Sequence, residues 1–200
     1  MSDLPVSLPV ELEPALVAAL DPAGKIVAAL DALGPITDRD VVAIDAGGGP
    51  IVAGLGALGA RLSSVALEQP FRIDSADETA DAVISLWTAF RGVDPAEIAE
   101  VDRVLRPGGR QLVVHDYGRD DVSRLYGDRP EYGAWSHRAG PFLTGGFKLR
   151  VLHCFWEFAS QEAATAFLTT AYGEPGEVLA ATLKRPRLSW NVAVYHRSRS

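Results

Sequence analysis

Residues 41–50 read VVAIDAGGGP, and this stretch decides the fold. Its first half, Val41 to Ile44, is apolar and rich in β-branched residues without polar alternation, which suits a strand buried on both faces. Its second half, Asp45-Ala46-Gly47-Gly48-Gly49-Pro50, is an acid followed by a glycine turn. The small apolar residues from Ile51 to Ala60 continue it as a helix packed tightly on a sheet. A strand that ends in glycines and feeds a helix lets a ligand approach the backbone without Cβ obstruction, and the helix N-terminus offers N–H donors.

Upstream, Asp21-Pro22 reads as an N-cap followed by proline at the first helical position. Ile26, Val27, Leu30 and Leu33 then recur at helical spacing up to Gly34-Pro35. Residues 1–13, with Pro5 and Pro9, read as a tail or an arm laid on the domain. Downstream, Arg61 to Glu68 makes a second strand, Asp81 to Trp87 a third, Asp94 to Leu105 a helix capped by Asp94, and Arg110 to His115 a fourth strand. Strand and helix alternate, so the sheet is expected to be parallel and doubly wound, because parallel neighbours need crossover connections. Val122 to Gly146 reads as a short helix plus loops over one end of the sheet. Phe147 to Phe158 is a long strand, Gln161 to Tyr172 a helix and Leu188 to His196 a final strand. Arg197 to Ser200 should fray. The division expected is a tail at 1–13, one domain at 14–197 and a tail at 198–200.

The bulk numbers narrow the function classes. Two hundred residues with 48% apolar content can enclose one sizeable core. A formal charge of −7 disfavours nucleic acid or an anionic membrane as the main partner, leaving a small molecule or another protein. The single cysteine, Cys154, can frame neither an intramolecular disulfide nor a zinc site, so no metal is expected and a reducing cytoplasm is the default. The start, Met1-Ser2-Asp3-Leu4-Pro5, has no basic leader, and no apolar run approaches the ~20 residues that span a bilayer.

Glu68 closes the second strand about twenty residues after the glycine turn, where a carboxylate can accept hydrogen bonds from a ribose diol. The plainer alternative is a tight strand-to-helix turn and a solvated acid. Gly54-Leu55-Gly56-Ala57-Leu58-Gly59 matches the nicotinamide fingerprint letter for letter, but only Ala60 separates it from the next strand. These glycines therefore read as helix positions that permit close packing on the sheet. Trp87, Thr88 and Phe90 follow the third strand and His115, Asp116 and Tyr117 end or follow the fourth, all on the ligand edge. Trp87, Phe90 and Tyr117 are candidate pocket walls. His115, Asp116 and Tyr117 are the catalytic candidates, with His115 as a base oriented by Asp116, or as a hydrogen-bonded residue at a strand end. Neighbours on a strand point to opposite faces, so at most one of His115 and Asp116 should reach the pocket. Tyr132, Trp135 and His137 fall in the loop-rich segment and read as a lid. No nucleophile elbow or phosphate-binding lysine loop is present.

Taken together, these elements resemble the class I S-adenosylmethionine-dependent methyltransferases. The resemblance rests on Asp45 to Gly49 after the first strand, on Glu68 after the second, and on Ala80 to Ser85. It rests most specifically on the turn Leu105-Arg106-Pro107-Gly108-Gly109 after Glu100 to Val104. It implies a Rossmann-like sheet of about six mostly parallel strands with the last antiparallel. It further implies S-adenosylmethionine held by Asp45, Gly47, Gly48 and Gly49 at its methionine end and by Glu68 at its ribose. Two departures stand out. Pro50 or Ile51 occupies a position where the family usually has glycine, and only twelve residues separate Glu68 from Asp81. A crossover alone takes about a dozen residues, so the family's third strand and its helix are missing or reduced to a stub near Phe71 to Asp74. The exposed sheet edge could pair with a second copy. The rival readings are a non-catalytic binding or interaction module of the same fold and, more distantly, a nicotinamide-dependent enzyme.

Overall fold

The VVAI run forms the last four residues of β1 (Asp40–Ile44), all of them buried. The cause is a parallel neighbour on each side: β2 (Arg61–Val65) pairs Val42 with Ser63, and β3 (Ala80–Leu86) pairs Val42 with Val83. Across the computed structural model, which describes residues 4–34, 36–44, 46–66, 71–127, 129 and 131–199, the strands order as β2-β1-β3-β4-β6-β5. Here β4 is Leu105–Asp116, β5 is Lys148–Glu157 and β6 is Arg187–Ser198. β4 runs parallel to β3, while β6 runs antiparallel to both β4 and β5. The sheet is therefore Rossmann-like, mostly parallel, with its last strand reversed.

Two apolar layers cover it. Val41 and Ala43 face one cluster together with Leu112, Val114, Trp190 and Val192, and Val42 and Ile44 face the other with Val113, Ala193 and Tyr195. Each layer needs its own apolar side chains, which is why these strands show no polar alternation. The first layer is closed by α1 (Glu13–Ala19), α2 (Lys25–Leu33), α3 (Pro50–Ala57), α8 (Gln161–Tyr172) and α9 (Glu174–Thr182). The second is closed by α4 (Pro95–Val104) and by Phe142 of α7 (Pro141–Thr144), which stacks on Tyr195 at 4.0 Å. Between them in sequence lie α5 (Asp121–Tyr126) and α6 (Glu131–Ala134). Full burial of each such Leu, Ile or Phe contributes about 1.5–3 kcal/mol.

Several boundaries differ from the sequence reading for identifiable reasons. α2 starts at Lys25, not beside Asp21, because Asp21 sits at φ 41° and its carboxylate reaches forward to the Ile26 N–H at 2.7 Å. The acid does cap the helix, but from outside its first turn. α1, absent from the reading, follows an N-terminal segment that buries Leu4 and packs Val6, Leu8 and Leu12 on the core. α9 was also missed. Its Pro175-Gly176 pair resembles a breaker, yet a Cβ on Gly176 would lie 2.0 Å from the Leu168 carbonyl oxygen, so the glycine is what lets α9 cross α8. Of the GLGALG glycines, Gly56 lies on the sheet as expected, a Cβ there being 3.7 Å from Leu62 of β2, whereas Gly54 does not. A Cβ on Gly54 would meet Val27 of α2 at 2.7 Å, so that contact joins two helices. Arg197 to Arg199 do not fray: Arg197 bonds Gln111 and Asp102, and the Arg199 N–H donates to Gly109 O at 2.9 Å.

Among the described residues no strand lies between β2 and β3, and β2 is a sheet edge. Residues 71–79 are instead clamped to α4. The Arg103 guanidinium donates to Ile73 O at 2.9 Å, to Ser75 O at 2.8 Å and to Asp77, while Glu100 accepts the Ile73 N–H at 2.9 Å. The anchor is Ile73, 1% exposed.

Candidate functional site

Chain order reverses between β1 and β3, and the crevice outside the carboxyl ends of strands at such a switch point is where open α/β sheets hold ligands. The glycine turn lies there. Ala46 O accepts the Ser64 hydroxyl at 2.6 Å, tying the turn to β2. Among the described residues nothing would lie within 4 Å of a Cβ on Gly48. Gly49 is the extended N-cap of α3 and Pro50 begins the helix. Ile51, where the family favours glycine, is 5% exposed and turned into the core, so its side chain leaves that approach clear. Asp45 and Glu68, the acidic members of the expected cofactor set, lie outside the described residues.

The carboxyl ends of β3 and β4 carry unusual backbone. Trp87, Phe90 and Arg119 have φ near +60°, a left-handed conformation that costs bulky residues about 1–3 kcal/mol each and concentrates at functional sites. Trp87 is held by its N–H to Val114 O at 2.9 Å and by stacking on Trp190 at 5.7 Å. Phe90, expected as a pocket wall, is 2% exposed with its ring edge-on to Phe71. It belongs to the core because its left-handed turn directs the ring inward.

Asp116 sits where the layers meet. One carboxylate oxygen accepts both indole N–H groups, from Trp190 at 3.0 Å and from Trp87 at 3.2 Å. Burial pushes its pKa up to about 6 against the Trp190 hydrogen bond; the nearby Asp120 charge adds to the rise, and Trp87 and Arg129 oppose it. His115 points the other way, its Nε2 3.1 Å from Phe90 O and its ring against Trp135 and Phe142. With Nε2 committed as a donor to a carbonyl, the His115 ring braces the Phe90 turn. Tyr117 also faces that second layer, beneath the Arg119 guanidinium, and so takes no part in the Asp116 constellation. Both His115 and Asp116 nonetheless border one hollow of about 40 Å³, so the expectation that only one would reach it fails. The hollow sits at the end of the strand, so both residues border it although their side chains leave opposite faces. Trp87, expected as a pocket wall, borders it as well, and Pro5, Arg91, Arg129, Tyr132 and Trp135 complete it.

Tyr132 and Trp135 thus cover the site as the lid reading expected, whereas Trp190, Arg91, Arg129 and Pro5 were missed. The missed residues come from β6, two loops and the N-terminal arm, and no local spacing links them to β4. Among the described residues no group of three or more His, Cys, Asp or Glu is placed to hold a metal ion, and no helix is long and apolar enough to cross a membrane.

At the level of sequence, no family model and no curated protein matches the chain. Solved structures do. A candidate type II methyltransferase from Anaeromyxobacter dehalogenans superposes with a TM-score of 0.57 at 17% identity, over 88% of this chain and 95% of the other. The fold is that of the methyltransferases. A candidate methyltransferase from an antibiotic biosynthesis pathway of Anabaena variabilis gives 0.56 at 14% identity, over 91% and 99% of the two chains. A protein of echinomycin biosynthesis, described for the conversion of a disulfide bond into a thioacetal group, gives 0.54 at 15%, over 92% and 83%. The G-x-G-x-x-G letters fall inside α3 instead of at its start, which removes the geometric basis for a nicotinamide site.

Proposed function

We propose that this protein is an S-adenosylmethionine-dependent methyltransferase acting on a small acceptor. The observation that carries the reading is a glycine turn, open in front of Gly48 among the described residues, at the switch point of a Rossmann-like sheet. Gly47 to Gly49 would hold the methionine end of the cofactor and Asp45 and Glu68 its polar groups, as the resemblance implies. Bound there, the cofactor supplies an electrophilic methyl group on a sulfonium. The chain's own residues then have three tasks: aligning the acceptor, excluding water and taking up a proton where the nucleophile carries one. Trp87 and Trp135 wall the reaction space, and Asp116, its pKa near 6, is the group suited to accept the proton.

One observation favours a second reading. The hollow beside Asp116 has a volume of about 40 Å³, enough for a water molecule and little more, and Pro5 and Tyr132 help close it. A non-catalytic binding module of this fold would have such a filled acceptor site. Calorimetric titration with S-adenosylmethionine and S-adenosylhomocysteine separates the two. Saturable micromolar binding abolished by Glu68→Ala is the result expected; silence at millimolar cofactor would leave the module.

A further inference from the structure

Outside the Asp116 hollow lies a second, larger depression of about 930 Å³, and Arg129 and Tyr132 belong to the walls of both. Three guanidinium groups, those of Arg119, Arg124 and Arg129, line it in a chain whose formal charge is −7. Among the described residues two acids stand beside them, and both are hydrogen-bonded. Asp120 accepts the Ser123 N–H at 2.7 Å and the Asn191 N–H at 2.7 Å. Asp121 accepts the Ser189 N–H and hydroxyl with one oxygen and Arg124 with the other. Arg124 is thus partly neutralised by Asp121 at 3.1 Å and Asp120 also lines the depression, so Arg119 and Arg129 carry most of its basic character.

Their placement is also built into the fold. Asn191 of β6 donates to Gly118 O at 3.1 Å and to Arg119 O at 3.3 Å, holding Arg119 in its left-handed conformation at φ 60°. The Arg119 guanidinium lies over the Tyr117 ring at 6.0 Å and that of Arg129 over Tyr126 at 4.5 Å. Ring stacking fixes the plane of a guanidinium while leaving its N–H fork available, the arrangement suited to bidentate recognition of an oxyanion.

We propose that this arginine basin binds the anionic group, a carboxylate or a phosphate, of the acceptor. Resting on the methyltransferase reading, this names its substrate class: a small anionic molecule whose charged end is held by Arg119, Arg124 and Arg129 while its nucleophile reaches past Tyr132 toward Asp116. The negative net charge of the chain makes such a local positive field an exception that selects its ligand.

The test is calorimetry on the full chain with inorganic phosphate and, separately, succinate, at ionic strength held constant with sodium chloride. Saturable millimolar binding of either anion is expected, weakened at least tenfold by Arg119→Ala and by Arg129→Ala and unchanged by Arg185→Ala, an exposed arginine outside the basin. Arg129→Lys, which keeps the charge and loses the fork, should fall between, and thermal melts establish that each variant is folded. Binding of phosphate alone or succinate alone identifies which oxyanion is read. Absence of saturable binding of both, or binding that survives both alanine substitutions, overturns the proposal. Cofactor binding without anion binding leaves the methyltransferase reading intact and removes the basin; anion binding without cofactor binding does the reverse.

Discussion

Replacing Asp116 by asparagine should make the protein more stable at neutral pH, although it removes the site's central charge. Both indole N–H groups converge on a single Asp116 oxygen, so the amide oxygen of asparagine can accept both without rearrangement. What the substitution removes is the cost of keeping a carboxylate there. A pKa raised from 3.8 to about 6 corresponds to about 3 kcal/mol of disfavoured ionisation. The sign follows from proton binding. Between about pH 4 and pH 6 the unfolded chain has released its proton while the folded chain still holds it, so the contribution of Asp116 to wild-type stability falls as pH rises and is flat above that window. Asp116→Asn lacks this fall. Urea denaturation followed by tryptophan fluorescence should show the variant up to about 3 kcal/mol more stable at about pH 7.5, with the two proteins converging below about pH 4. In a chain of this size that is about 6–12 °C in Tm. A variant no more stable than wild type at neutral pH, or a gap that persists in acid, refutes the account of Asp116.

Gly48→Ala should leave Tm within about 2 °C of wild type, since the added methyl meets nothing, while weakening S-adenosylmethionine binding by calorimetry. Arg103→Ala should cost about 2–4 kcal/mol in urea denaturation, because it strips donors from the Ile73 and Ser75 carbonyls and leaves the Glu100 carboxylate to the Ile73 N–H and the Arg72 guanidinium at 3.4 Å, and limited proteolysis should then cut within residues 71–79. Cys154 should stay inert to thiol reagents in the native protein, since burial raises its thiol to about 12; labelling should track unfolding across a urea series.

The framework was readable in the sequence wherever local pattern and global burial agree. A β-branched run such as Val41 to Ile44 has few alternatives to a central strand, and Asp94-Pro95 marks a helix start by chemistry that acts within one turn. The site was less readable because its contacts are distant in sequence. Trp190 and Asp116 meet across 74 positions, and nothing near either residue announces the other. Asp116 itself was named from its place at a strand end, but its role depends on two indoles that only the finished sheet supplies. α1 and α9 were missed for a related reason: short helices that begin at proline derive their stability from the layer they cover and little from their own spacing.

β6 is late in sequence yet interior in the sheet, filling the gap between β4 and β5. During synthesis, β5 therefore has, among the described residues, only its isolated bridge from Trp156 to Leu20 to pair with until residues 187–198 have left the ribosome. The same strand brings Ser189, Trp190 and Asn191 to the loop after β4. A nascent chain can assemble the β1–β3–β4 half early, but its pocket waits for the non-local pairing of β4 with β6.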